Sequence, residues 1–278
     1  MKTLKNYVIL YDAECPMCQL YTRGFTQSGM LDPSGRVPYQ EMPPVVCTLV
    51  DRRRAANEIA LVNPETGEVT YGIHSLFKVI ANSFPVLRRL FSFPPFLWTM
   101  SKLYAFISYN RKVIIPPRSM AGGALSPTFR LRYRLLYLLF SCFTAGFVLT
   151  AFAPLLSGLL PVGGPGREYL VCAGQVLCQG LVVSILAPAK RWDYLGNMMT
   201  ISVGGAVLLA PLVLAARWVP IGPGVGAAYF TVVVGLMFVE HIRRTRLLGL
   251  GTTMTFTWTL YRVFVLLFIL HFHGYAIP

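Results

Sequence analysis

The chain has 278 residues, 55% of them apolar and 13% charged, with a mean hydropathy of +0.57. This excludes disorder, which needs few apolar residues and much charge, and argues against a single soluble domain, because so much apolar surface needs somewhere other than water to go. The formal net charge of +14 suits nucleic acid, anionic lipid or the positive-inside loops of a membrane protein. Residues 1–120 hold 14 Lys/Arg and 8 Asp/Glu, whereas 121–278 hold 11 Lys/Arg and only Glu168, Asp193 and Glu240 as acids. We read 1–117 as a small globular α/β domain, 118–133 as a linker opened by Pro116-Pro117, and 134–278 as an all-α helical membrane domain.

Tyr7–Tyr11 is a continuous apolar run, as in a buried parallel strand. From Pro16 the apolar positions Met17, Leu20, Tyr21 and Phe25 have helical spacing, with Pro in the first turn and Ser28-Gly29 as a stop. Arg36–Gln40 is expected as a second strand and Pro44–Ala55 as a second helix. Glu58–Val62 and Glu68–Tyr71 read as strands joined through Asn63-Pro-Glu-Thr-Gly67, which is turn chemistry, and Ile73–Asn82 as a helix. The order is β-α-β-α-β-β-α, with Cys15-Pro16-Met17-Cys18 at the start of the first helix. A Cys-x-x-Cys near a βαβ pattern reads as a redox motif.

That placement has a chemical reason. Unpaired N–H groups and the dipole at a helix start favour a thiolate at Cys15. Cys18, one turn on, is placed to attack a mixed disulfide formed at Cys15 and release the substrate. Asp12, at the strand end, either accepts the Cys18 proton or caps the helix start.

The segment Tyr11-Asp12-Ala13-Glu14-Cys15-Pro16-Met17-Cys18 resembles the signature of the DCC family of thiol-disulfide oxidoreductases, named for Asp-x-x-Cys-x-x-Cys. Glu58–Asn63 followed by Thr66–Gly72 is similar to the family's strand, turn, strand, Gly segment. Tyr104 to Asn110-Arg111 resembles its closing helix and Asn-Arg pair, so the resemblance covers about residues 5–115. It implies a thioredoxin-like fold with Asp12, Cys15 and Cys18 as functional residues. The family commonly has Gly where Ala13 stands.

Five spans follow, roughly 134–156, 168–189, 194–217, 224–241 and 252–272, since a spanning helix needs about 20 apolar residues. Arg130, Arg132 and Arg134, then Lys190 and Arg191, then Arg243, Arg244 and Arg246 fall on one side; Arg167 and Arg217 fall on the other. The richer side is expected to be cytoplasmic, so the N-terminal domain is cytoplasmic and the C-terminus exoplasmic in the cell membrane. Topology thus accounts for most of the basic excess, and no nucleic-acid motif accompanies it. The apolar run after Met1 is too short for a cleavable signal.

Other residues carry open readings. Cys47 is a core residue, a third redox thiol or, with Cys15, Cys18 and His74, a zinc ligand, although the spacing is wrong for closed zinc sites. Cys142, Cys172 and Cys178 lie in spans and behave as small hydrophobes unless Cys142 and Cys178, similar in depth, form a dithiol relay. Arg262, inside the fifth span, is a functional candidate by default or snorkels to the interface; Glu240 is its expected partner. His271 and His273 lie near the exoplasmic end. Phe93–Tyr109, rich in aromatics, rests on the membrane or closes the first domain. The expected function is a membrane-anchored thiol-disulfide oxidoreductase, with no cofactor or metal beyond a redox-active Cys15–Cys18 disulfide. Its partners are the lipid bilayer and an unidentified protein thiol or disulfide. The alternative is a non-enzymatic membrane subunit or scaffold with a partner-binding thioredoxin-like domain.

Overall fold

The computed structural model describes residues 2–117, 128–161, 163–164 and 166–273. Residues 118–127 of the expected linker and the side chain of His273 lie outside that description. The chain divides into two compact units, Met1–Tyr133 and Arg134–Pro278.

The first unit is built on a small mixed sheet. Its elements are β1 (Val8–Tyr11), α1 (Pro16–Gln27), β2 (Arg36–Pro38), α2 (Pro44–Leu49), α3 (Arg52–Asn57), β3 (Ala60–Val62), β4 (Val69–Tyr71), α4 (Ile73–Ser83), α5 (Arg88–Phe91) and α6 (Pro94–Ile114). The strand order is β2-β1-β3-β4. β2 runs parallel to β1, with Ile9 opposite Arg36. β3 runs antiparallel to β1, with Val8 opposite Val62, and β4 antiparallel to β3. The two central strands carry Ile9, Leu10, Ala60, Leu61 and Val62, all fully buried, because helices cover both faces; hence their unbroken apolar runs. Successive residues alternate between two cores. Ile9, Tyr11 and Leu61 pack with Cys15, Cys18, Leu31 and Val79, and Leu10, Ala60 and Val62 pack with Tyr39, Val46, Val50 and Ala55.

Two expected elements are divided. The helix over Pro44–Ala55 is broken between α2 and α3, where Asp51 is extended and its Oδ1 accepts from the Arg53 and Arg54 amides at 2.9 and 3.1 Å. A side-chain cap substitutes for backbone continuity there. The strand over Arg36–Gln40 stops at Pro38, which has no N–H to extend a ladder, and Tyr39–Glu41 turns into a 3-10 helix.

α6 settles the aromatic stretch in two halves. On one face the Tyr104 hydroxyl accepts from the Ile59 amide at 2.9 Å, Ser108 donates to the Asn57 carbonyl and Arg111 Nη2 to the Ala56 carbonyl at 2.9 Å. That face closes the unit over the entry to β3. The other face leaves Trp98 and Leu103 exposed, next to an exposed Phe93.

The second unit is helical: α7 (Leu131–Phe152, extended by a 3-10 turn to Leu156), α8 (Arg167–Leu186), α9 (Arg191–Ala215), α10 (Pro223–Leu247) and α11 (Thr252–His273). Each is long and apolar enough to cross a membrane, in agreement with the five expected spans and with a multi-pass membrane protein. Phe140, Phe143, Leu177, Leu181, Val232, Phe264 and other large apolar side chains point outward, the arrangement lipid tolerates and water does not. α9 lies against α8 and α10 and contributes Tyr194, Met198, Met199, Ile201 and Leu209 to the interior. Gly226 of α10 lies so close to the Leu155 carbonyl that a Cβ there would come within 2.6 Å of the oxygen.

The basic clusters meet at one end of this bundle. Arg134 Nη1 donates to the Trp192 carbonyl at 3.0 Å and Nη2 lies 3.6 Å from Asp193. Lys190 donates to the Leu248 carbonyl at 2.7 Å, and Arg244 to Asn197 Oδ1 at 2.9 Å.

Candidate active site

The turn after β1 builds the site. The Cys15 amide donates to the Asp12 carbonyl at 3.1 Å, and Cys15 is the N-cap of α1 with φ −88° and ψ 108°. Pro16 supplies a preset φ in the first turn at no hydrogen-bond cost. The Cys15 Sγ accepts from the Cys18 amide at 3.4 Å, so a sulfur occupies the capping position usually held by an oxygen. One turn on, Thr22 donates to the Cys18 carbonyl at 2.7 Å while accepting from Arg36 Nε at 2.8 Å, which fixes α1 to β2.

Asp12 is 2% exposed. Its Oδ1 accepts from the Glu14 amide at 3.1 Å and from Gln40 Nε2 at 3.3 Å, while Oδ2 is enclosed without a partner. Asp12 thus caps the turn before the helix and keeps one oxygen free. Cys15 and Cys18 are 6% and 4% exposed.

The two sulfurs have opposite electrostatics. The Cys15 thiol is lowered from 9.0 to about 6. The largest cause is a hydrogen bond from the Cys18 thiol; burial opposes it, and the Arg111 guanidinium and the Cys18 amide assist. Cys18 is raised, first because its proton is held by Cys15 and then by burial. The expected helix-start activation is present through the Cys18 amide, but the larger contribution is the partner thiol. Burial raises the Tyr21 and Tyr104 hydroxyls beside them.

Arg111 is the residue that spacing does not reveal. It sits in the last turn of α6, far along the chain, and is 6% exposed. Its only sequence signal is its place in the Asn110-Arg111 pair. Asn110 holds position by donating to the Phe106 and Tyr133 carbonyls at 2.9 and 3.1 Å.

The other candidates lie elsewhere. Cys47 is half-buried on α2, its sulfur accepting from Arg52 Nη2 at 2.6 Å. It lines a recess of about 290 Å³ with Tyr39, Met42 and Gln40, the residue that also bonds Asp12. His74 is exposed on α4. Among the described residues no three His, Cys, Asp or Glu side chains gather as a metal-holding group. Cys142, Cys172 and Cys178 are free thiols; Cys142 and Cys172 are half-buried and Cys178 is exposed. Arg262 does not pair with Glu240. The Glu240 carboxylate is occupied by Arg243 at 2.6 Å and Arg244 at 2.7 Å, its neighbours on α10.

Comparison with protein families, curated proteins and solved structures gives no match to this chain.

Proposed function

We propose that the chain is a membrane-anchored thiol-disulfide oxidoreductase of the DCC type, with a thioredoxin-like N-terminal domain whose Cys15–Cys18 pair cycles between dithiol and disulfide. The observation that carries this reading is the capped pair itself: Cys15 at the start of α1, its thiol lowered to about 6, beside a Cys18 that keeps its proton. The strand order β2-β1-β3-β4 with α1 after the first strand supports the thioredoxin-like assignment. The meeting of the basic clusters at one end of the bundle supports a cytoplasmic face there, hence a cytoplasmic N-terminal domain and an exoplasmic C-terminus.

In this mechanism the Cys15 thiolate attacks one sulfur of a substrate disulfide. A mixed disulfide forms and the other substrate sulfur leaves as a thiolate. The Cys18 thiol then gives up its proton, for which Asp12 Oδ2 is the free acceptor, and attacks Cys15 Sγ. The second substrate thiolate leaves and Cys15–Cys18 closes. Two electrons pass from the pair to the substrate, and the reverse sequence oxidises a substrate dithiol.

Trapping tests it. Cys18→Ser in whole membranes is expected to accumulate a mixed disulfide on Cys15 that reductant releases; its absence from both Cys18→Ser and Cys18→Ala argues against turnover. The low exposure of both sulfurs favours a second reading, the non-enzymatic scaffold with a vestigial pair. The two differ in alkylation at neutral pH: a redox Cys15 reacts much faster than Cys47, a vestigial one no faster.

A further inference from the structure

The interior of the membrane unit contains hydrogen-bond donors with nothing to receive them. Arg262 lies ten residues into α11, about 15 Å along the axis at ~1.5 Å per residue, which is the middle of a bilayer core of about 30 Å. Its side chain is too short to reach either interface from there. Instead the guanidinium lies over the Trp258 ring, 4.0 Å from its centroid. Among the described residues no carboxylate is within ion-pair distance of it, Glu240 being held by Arg243 and Arg244.

The groups beside it are orphaned in the same sense. Arg262 Nε, Trp258 Nε1, Gln179 Nε2 and Gln175 Nε2 are all enclosed without a partner. Trp258 is 1% exposed, Gln179 0% and Gln175 5%. They lie about the seam where α8 packs on α11, with Trp258 turned toward His241 of α10. Tyr261 donates to the Val171 carbonyl at 2.8 Å and lies against Gly174, next to Gln175. Thr257 donates to Gln179 Oε1 at 3.3 Å. Two acceptors nearby are already used: Gln179 Oε1 also receives the Tyr194 hydroxyl at 2.8 Å, and His241 contacts Tyr194 at 3.2 Å and Thr255 at 3.1 Å while stacking on Trp258.

Every orphan is therefore a donor, and indole and guanidinium groups can only donate. Arg262 is half-buried with its Nε enclosed; a charge at that depth without a partner is costly, and a neutral carbonyl ligand would leave it uncompensated. The geometry points to a binding site for a singly charged anion in the α8/α11 seam, with Arg262 as counter-charge and Trp258, Gln175 and Gln179 as donors. A recess of about 410 Å³ lies at the basic end of the bundle, lined by Lys190, Gly249 and Met254, and Met254 is one turn from Trp258 on the buried face of α11. The chemistry shared by a halide and a small carboxylate fits this donor set.

Iodide, a contact quencher of indole emission, tests the site in the full chain in detergent or nanodiscs, with Trp98, Trp192 and Trp218 replaced by Phe so that only Trp258 emits. Saturable quenching is expected, reversed by chloride if the site takes monatomic anions and also by acetate if it takes carboxylates. Arg262→Gln is expected to abolish the saturable part, and Gln175→Leu to weaken it by about tenfold, as loss of one hydrogen bond to a charged group implies. Should Arg262→Gln not yield folded protein by exclusion chromatography, Gln175→Leu alone decides. Quenching that rises linearly without saturation in the parent, or that saturates equally in these variants, overturns the proposal.

Discussion

Cys15 and Cys18 are adjacent thiols driven to opposite ends of the titration scale by one shared proton. Because the Cys18 hydrogen bond is the largest influence on Cys15 and Arg111 a smaller one, Cys18→Ala is expected to raise the Cys15 pKa more than Arg111→Gln does. Thiolate ultraviolet absorbance against pH in each variant checks the order. The same shift predicts a pH-dependent stability for the dithiol form. A folded thiol at about 6 against 9.0 in the unfolded chain stabilises the fold fully above about pH 9, and that stabilisation is lost as the pH falls through about 6. The thermal midpoint of the reduced protein should therefore climb from about pH 6 to about pH 8, and Cys15→Ser should flatten the climb. Above about pH 9 the raised Cys18 reverses the slope, because only the unfolded chain releases that proton. The sequence shows the two cysteines and Asp12 directly, since a helix start binds them within seven residues. It does not show Arg111, which arrives from the far end of α6 through tertiary packing that no local period encodes.

Among the elements, the strands and α1 and α4 are readable because apolar runs, Pro and Gly punctuate them. The α2–α3 break is not, since Val50-Asp51-Arg52 contains neither Pro nor Gly; the Asp51 side chain caps α3 while its amide donates to the Tyr71 hydroxyl at 2.9 Å. Asp51→Ala is expected to destabilise the first unit by about 1 kcal/mol, with Asp51→Asn nearly neutral, as thermal unfolding would show. Gly72 enters α4 at φ +62°, and a Cβ there would lie 3.1 Å from Glu58 Oε2 and 3.3 Å from the Tyr104 ring. In the helical unit, Gly226 and Gly224 form an internal control. A methyl at Gly226 collides with the Leu155 backbone, whereas one at Gly224 meets nothing within 4 Å. Gly226→Ala is expected to lower the thermal midpoint in detergent and Gly224→Ala to leave it unchanged.

At the scale of the molecule, the five spans are the most legible feature, because lipid demands about 20 apolar residues per crossing and little else. What that pattern hides is the polar interior, since Gln175, Gln179 and His241 disappear in a hydropathy average dominated by outward-facing Leu, Val and Phe. On the proposed orientation, with five crossings, a reporter fused after Pro278 is expected to behave as exoplasmic and one at the N-terminus as cytoplasmic. Matching signals at both ends would mean an even number of crossings.

In the proposed redox cycle, the bond from Cys18 to Cys15 also bears on the potential of the pair. It exists only while both sulfurs are reduced, and closing the disulfide gives it up. A thiol lowered below 9.0 is more fully ionised at pH 7, which favours the dithiol form and moves a two-electron couple toward a more oxidising potential. The pair then holds its electrons more firmly than an unassisted dithiol would. Equilibration with glutathione should register that difference, and Arg111→Gln should move the potential back toward the reducing side.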